Sequence, residues 1–542
     1  MSDRTFQADV VVAGGGLAGI VTAFELLEHG KSVVLIDKDT QDRFGGLARE
    51  SFGALHLIGT THQRRMGIAD SADLAFRDWE RVAHWGPEDE WPRRWARLYC
   101  DRSLDLIAAF VEQKGVQFLP MVNWAERGLL QPANSVPRFH IAWGTGHEIV
   151  HRVVLALDAH PRRESLQVVF DAEVSEVEVT AGRATAVVGR FMDGSGTFRA
   201  AGEHIVIASG GICGGDMSKL RANWYKPWGE PPKILLNGAH RYADGLLHDK
   251  VAALGANVTH LDKQWHYAAG VFHPAKRRPY DGLSLVPPRS ALWLNALGER
   301  IGPMPLVGYT DTRYLVESIL RQPGQYTWQV LNRKIALKEL AVSGCDFMTA
   351  FRYKKKLLLL ENLAFGDKAL VDRLIAECPD DFVVGQTLPD LVAGMNRRGL
   401  DGLQVNLETV QAAIAEYDAQ IDRGEVYFTD EQLRRLQHFR RYRADRLRLC
   451  KNQKILDPAA GPLIAIREFI LARKSMGGIQ TDMQCRALRA DGTPLPGLYA
   501  VGEAAGFGGG GIHGLGSLEG TFLGSCILTG RVAGRAIAGA PS

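Results

Sequence analysis

Three glycines in the stretch Gly14-Gly15-Gly16-Leu17-Ala18-Gly19 have the spacing that can hold a pyrophosphate. Gly14 permits a tight turn, Gly16 lets backbone N–H groups approach the phosphates, and Gly19 lets the next helix pack on the preceding strand. Ribose hydroxyls need an acceptor, and Asp37 offers a carboxylate about 20 residues beyond the central glycine. Glycine turns also join strands to helices for packing alone; the acid at Asp37 favours dinucleotide binding.

These residues need a scaffold. Asp9-Val10-Val11-Val12-Ala13 reads as a strand, residues 20–29 as a helix, and Lys31-Ser32-Val33-Val34-Leu35-Ile36-Asp37 as a second strand. The helix N-terminus of such a unit faces the phosphate charge. Just beyond lies Phe44-Gly45-Gly46-Leu47-Ala48-Arg49-Glu50-Ser51-Phe52-Gly53, where a second glycine pair can let the backbone pass close to a large flat cofactor.

The chain has 542 residues, 46% hydrophobic and 23% charged, enough for two or three cores. A net charge of +3 argues against a nucleic-acid partner. No apolar run reaches the length of a membrane span, and residues 1–7 are polar without a signal-peptide core, so a cytoplasmic location is expected. Seven dispersed cysteines without a CxxC pair read as reduced thiols, with no structural metal.

Residues 68–115 read as helical, with Trp79, Trp85, Trp91 and Trp95 as core. Residues 166–188 alternate as a β-meander, leading to the buried strand His204-Ile205-Val206-Ile207-Ala208-Ser209-Gly210-Gly211, which can rejoin the nucleotide sheet. From about 275 to 460 the pattern turns to longer helices, including 403–416 and 431–449. Arg434, Arg435, Arg440, Arg441, Arg443, Arg446 and Arg448 at helical spacing read as a solvated face. Strand-rich and glycine-rich character returns at 472–479 and 496–503.

Taken in order, these motifs resemble one family over nearly the whole chain: the flavoproteins that include fumarate reductases, succinate dehydrogenase flavoprotein subunits and 3-ketosteroid dehydrogenases. The resemblance implies FAD and an α/β fold. A Rossmann-like, glutathione-reductase-type FAD-binding domain would be discontinuous over 1–275 and 461–542, with an inserted α+β cap at 276–460 and the active site between them. It implies FAD contacts at Gly14, Gly16, Leu17, Ala18, Gly19, Asp37, Lys38, Gly45, Gly46, Leu47, Ser51, Gly53, Ala172, Val174, Ala208, Ser209 and Gly210. Gly502, Glu503, Ser517, Leu518, Thr521 and Phe522 complete the set, with Glu503 on the ribityl or ribose hydroxyls. Glycines from Gly508 onward let the backbone reach the ring edge, and a helix starting near Thr521 directs its positive end at a reduced flavin's negative pyrimidine side. Where succinate dehydrogenases attach the flavin through histidine, this chain has Leu47, implying noncovalent FAD.

The family's chemistry exchanges a hydride at one carbon and a proton at its neighbour, beside a carbonyl that must be polarised. Two substrate motifs are changed: Lys474-Ser475-Met476-Gly477-Gly478 replaces His-Thr-Met-Gly-Gly, and His513-Gly514-Leu515-Gly516-Ser517 replaces His-Gly-x-Asn-Arg. The resemblance puts Lys474, Gly477, His513, Leu515 and Gly516 at the substrate, but the lost cations make fumarate and succinate unsuitable. Leu515 falls where ketosteroid dehydrogenases carry a tyrosine, which leaves backbone N–H groups near Gly514 to Ser517 as oxyanion donors. After Gly298-Glu299-Arg300-Ile301, the segment Thr310-Asp311-Thr312-Arg313-Tyr314 offers Arg313 as the acid of a reductase or Tyr314 as the base of a dehydrogenase. The two point apart, with one facing the flavin. His266 and Tyr267 near the domain junction are further candidates at the substrate.

The expected function is an FAD-dependent dehydrogenase that desaturates a small-molecule carbonyl compound. Its alternatives are an ene-reductase acting on an enone or unsaturated acid, and a flavin-binding electron-transfer subunit. The electron acceptor is unknown, and the oligomeric state, a homo-oligomer included, is open.

Overall fold

The computed structural model describes residues 4–129 and 131–541, so the first three residues of the polar opening lie outside it. Val10–Ala13 and Val33–Ile36 are buried along their whole length, the pattern of parallel strands covered on both faces. They lie inside a six-stranded sheet in the order Arg486–Leu488, Pro494–Ala500, His204–Ile207, Val10–Ala13, Val33–Ile36, Leu166–Val169. Every neighbouring pair is parallel except the first. Val10, Val12, Val33 and Leu35 pack on helices Leu17–Glu28 and Thr521–Ile537, while Val11, Ala13, Val34 and Ile36 pack on a four-stranded sheet. The two helices come close because Gly534 is bare: a Cβ there would stand 2.6 Å from Glu25 Cβ. Buried Glu25 ties them together, accepting from Arg531 at 3.1 Å and Arg535 at 2.6 Å.

The meander expected over 166–188 is divided. Leu166–Val169 joins the parallel sheet beside Val33–Ile36, and the chain then turns at Asp171, whose φ of 53° is left-handed and ends the strand. The meander proper is Ala172–Thr180, Arg183–Phe191 and Thr197–Ala201, with Arg4–Gln7 added at its edge.

A second, eight-stranded sheet is built around Leu463–Ser475, a strand of 13 residues. Its first half pairs with Tyr326–Asn332 and Phe382–Gly385, its last half with Gln264–Phe272 and Leu236–Asn237. The helix expected over 431–449 is two, Glu431–Arg441 and Arg443–Arg448, because Tyr442 is extended (φ −85°, ψ 128°). Its hydroxyl donates to the Val122 carbonyl, which fixes the break. Around residues 68–115 the helices Ala72–Ala83 and Glu90–Arg102 and the turn between them bury Trp79, Trp85 and Trp95 as expected, whereas Trp91 is only half-buried, with Arg94 4.7 Å from its ring. No helix among the described residues is long and apolar enough to cross a membrane.

Candidate active site

The C-terminal ends of the parallel strands open into a cavity of about 350 Å³, the position where open α/β sheets hold their ligands. Its walls begin with Gly14, Gly16, Leu17, Ala18, Asp37 and Lys38, then Gly45, Gly46, Leu47, Ser51 and Gly53. Ala172, Val174, Ala208, Ser209, Gly210, Glu503 and Phe522 also face it. Gly14 is required at its place: φ is +121°, and a Cβ would lie 2.2 Å from the Ala208 carbonyl oxygen. Gly16 differs, with nothing within 4 Å of where its Cβ would be. It caps Leu17–Glu28 without any side-chain hydrogen bond, so bare N–H groups meet open space. Gly45 donates to the Gly15 carbonyl at 3.0 Å, which lays the second glycine loop against the first.

Polar groups follow the same trough. Burial raises the Asp37 carboxyl, and Lys38 is held by Glu173 at 2.5 Å and Asp244 at 3.3 Å. Glu503 accepts the Ser475 N–H at 2.9 Å, and burial raises it to about 7. Farther along, Thr521–Ile537 begins at Gly520 (φ +94°) with no capping side chain, and Gly520, Phe522 and Leu523 face the cavity. These features fit FAD: a bare helix start for the pyrophosphate, an acid for the ribose, a backbone-lined trough and a second uncapped helix end for the ring. Gly19 and Gly502 support the trough from behind, since a Cβ would lie 2.0 Å from the Gly14 oxygen and 2.7 Å from Ala18 Cβ respectively. Ser517, Leu518 and Thr521 do not face the cavity; Thr521 turns its hydroxyl back to the Leu518 carbonyl at 2.6 Å.

Beyond the trough the cavity gains a polar, aromatic end. Tyr267 and Tyr309 face each other there with ring centroids 6.3 Å apart. Lys474 donates to the Tyr267 hydroxyl at 3.1 Å and lies 3.7 Å above the Phe522 ring. Burial lowers Lys474 to about 8 and pushes both phenols upward. Glu519 also lines this end and accepts the Trp265 indole N–H at 2.8 Å. Trp124, Phe139, Ile141, Val286 and Pro287 supply apolar wall, and Arg289, Glu339, Asp445 and Arg448 supply charge.

Several expected substrate residues lie elsewhere. His266 and Tyr267 alternate across one strand, so only Tyr267 faces the cavity. His266 stacks on Trp224 at 5.0 Å, and burial with nearby Arg313 lowers it to about 3, leaving it neutral. Arg313 and Tyr314 belong to the helix Thr312–Leu320, and neither lines the cavity. Arg313 bonds the Leu515 carbonyl at 2.9 Å and Glu317 at 3.2 Å, with Tyr225 and Trp228 rings 4.9 Å away. Tyr314 donates to the Met304 carbonyl at 3.3 Å. His513 stacks on Trp79 at 5.6 Å, and a Cβ on Gly477 would strike His260. Three of the four expected oxyanion donors are already used: Gly514 N–H bonds the Gly511 carbonyl, Leu515 that of Ala83, and Gly516 that of His513, while Ser517 does not face the cavity. Tyr309, Trp124, Glu519, Arg289 and Arg448 were not singled out as site residues from the sequence; only Tyr309, directly before the Thr310–Tyr314 segment, had a local pointer.

The chain belongs to the family defined by the FAD binding domain, which its residues 9–523 match, and it is an FAD-dependent oxidoreductase. Among its relatives, a KsdD-like steroid dehydrogenase of Mycobacterium tuberculosis is 40% identical over 98% of this chain and 96% of its own. Another, from Mycolicibacterium smegmatis, is 40% identical over 95% of this chain and 96% of its own. The fold is similar to that of a 3-ketosteroid Δ1-dehydrogenase from Sterolibacterium denitrificans (TM-score 0.69, 14% identity, 98% of this chain and 99% of that one). It is also similar to a flavocytochrome c3 fumarate reductase (TM-score 0.68, 19% identity, 99% of this chain and 79% of that one).

Proposed function

We propose that the protein is a dehydrogenase that introduces a double bond beside the carbonyl of a ring ketone of the steroid type. The observation that carries this reading is the facing pair Tyr267 and Tyr309, in the same cavity as the dinucleotide glycines, with Lys474 on the Tyr267 hydroxyl. FAD bound in the trough supplies a two-electron acceptor for the hydride. Lys474 as the free amine takes the Tyr267 phenol proton while the same phenol oxygen takes the proton from the carbon beside the carbonyl. Tyr309 donates a hydrogen bond to the carbonyl oxygen. Val286, Pro287, Phe139, Ile141 and Trp124 offer the flat apolar wall that a fused-ring ketone needs, and they exclude water from the proton transfer. The names of the two 40%-identical relatives agree with a steroid substrate.

The test is anaerobic mixing of the holoenzyme with saturated 3-ketosteroids while the flavin band is followed. Bleaching is expected, slowed about 100-fold or more in Tyr267→Phe and Tyr309→Phe. If no ketone bleaches the band while chemically reduced enzyme is reoxidised by an enone, the enzyme is an ene-reductase instead.

A further inference from the structure

Arg448 is the one member of the 434–448 arginine run that lines the cavity. It does so because the extended Tyr442 ends one helix and starts Arg443–Arg448 in a new direction. Once inside, it meets carboxylates whose oxygens are already engaged. Asp445 binds Arg127 through Oδ2 and Arg289 through Oδ1, the latter at 2.8 Å. Glu339 accepts the Ser290 hydroxyl at 2.6 Å and the Cys450 N–H at 2.8 Å through Oε1, and the Ser290 N–H at 3.0 Å through Oε2. The hydrogen bond that Arg448 does make runs to a neutral acceptor, the Glu339 backbone oxygen, at 3.3 Å.

A guanidinium carries five N–H donors and does not lose its proton, so an enclosed one without a carboxylate of its own holds a standing demand for anionic oxygen. Around Arg448, three arginines, 127, 289 and 448, face two carboxylates, Asp445 and Glu339, while Glu519, which also lines this end, interacts with Lys474, so Arg448 keeps its positive charge beside the cavity without an acid of its own. The pyrophosphate does not answer it: the groups that act on Arg448 are Arg289, Glu339, Asp445 and Tyr309, and none of them belongs to the Gly14–Gly19 turn. Arg448 instead shares the end that holds Tyr309, with which it interacts electrostatically.

We propose that the substrate is a ring ketone that also carries a carboxylate, and that Arg448 receives this anion. The inference rests on the dehydrogenase reading for the ketone and adds the acid. Two N–H groups of the guanidinium grip the carboxylate side by side, which selects acids over the corresponding neutral ketones and orients the ring system.

The test compares a 3-ketosteroid bearing a side-chain carboxylate with its methyl ester, on holoenzyme, by binding (quenching of flavin fluorescence) and by anaerobic flavin reduction. The acid is expected to bind about 10-fold or more tightly than the ester. Arg448→Met should weaken the acid by a similar factor and leave the ester unchanged, while Arg448→Lys keeps part of the preference; flavin content and melting temperature verify that both variants fold. Equal binding of acid and ester by the native enzyme overturns the proposal. So does an Arg448→Met variant that slows acid and ester alike, which would make the arginine a partner of the ketone oxygen. Arg448-dependent binding of the acid without any bleaching keeps the anion site and sinks the dehydrogenase reading.

Discussion

The Lys474 ammonium donates to the Tyr267 hydroxyl at 3.1 Å, and burial has brought that ammonium down to about 8. Below this value the lysine is charged and cannot take the phenol proton. The rate of flavin reduction by ketone should therefore rise with pH through about 8 and then level. Lys474→Met should lower the rate about 100-fold or more and remove this limb of the profile. A native profile that stays flat across this range would take the lysine out of the proton path.

Gly14 and Gly16 separate folding from cofactor binding. Gly14→Ala forces a Cβ to 2.2 Å from the Ala208 carbonyl at a φ of +121°, so the apoprotein itself should melt earlier. Gly16→Ala meets nothing within 4 Å, so the apoprotein should melt unchanged while FAD binds at least about 10-fold more weakly. Melting curves with and without added FAD distinguish the two.

Arg138 is fully buried between two fully buried carboxylates, Asp70 at 2.8 Å and Asp78 at 2.6 Å. It ties helix Ala72–Ala83, through Asp78, to strand Phe139–Ile141, whose Phe139 and Ile141 line the cavity. Arg138→Met strands both acids and should cost about 3–5 kcal/mol in urea unfolding. A loss under about 1 kcal/mol would mean that the acids find protons or water at little cost.

Glu126 accepts the Thr312 N–H at 2.9 Å inside the protein, and burial raises its carboxyl to about 8. A folded-state value above the unfolded one gives stability that is complete below the unfolded pKa and is lost as pH rises through about 8. The melting temperature of Glu126→Gln should consequently fall less than that of the native chain between pH 5 and 8.5; parallel curves would show that Glu126 is ionised when folded.

The cofactor trough was legible because its signals are local. Gly14, Gly45, Gly46 and Gly53 all adopt positive φ, and each lies within a few residues of the strand end or helix start it serves. The substrate end was legible only in part: Tyr267 and Lys474 were candidates, but Trp124, Tyr309 and Arg448 come from widely separated segments and meet them only through pairings such as Gln264–Phe272 with Leu463–Ser475. No spacing encodes such contacts. Motif position also says little about orientation: His266 and Tyr267 are neighbours in the chain yet sit on opposite faces of one strand. The arginine run shows the same limit, since a helical period over 431–449 hides the break at Tyr442 that turns Arg448 inward.

Leu463–Ser475, at 13 residues, is roughly 43 Å of unbroken backbone. Its near end carries Lys474, and its partner strand carries Tyr267 in register with Leu471. Both halves of the acid–base pair thus ride on neighbouring strands of one sheet. Because those strands are hydrogen-bonded to each other, the sheet itself holds lysine and tyrosine together, and the pair stands assembled before any substrate enters.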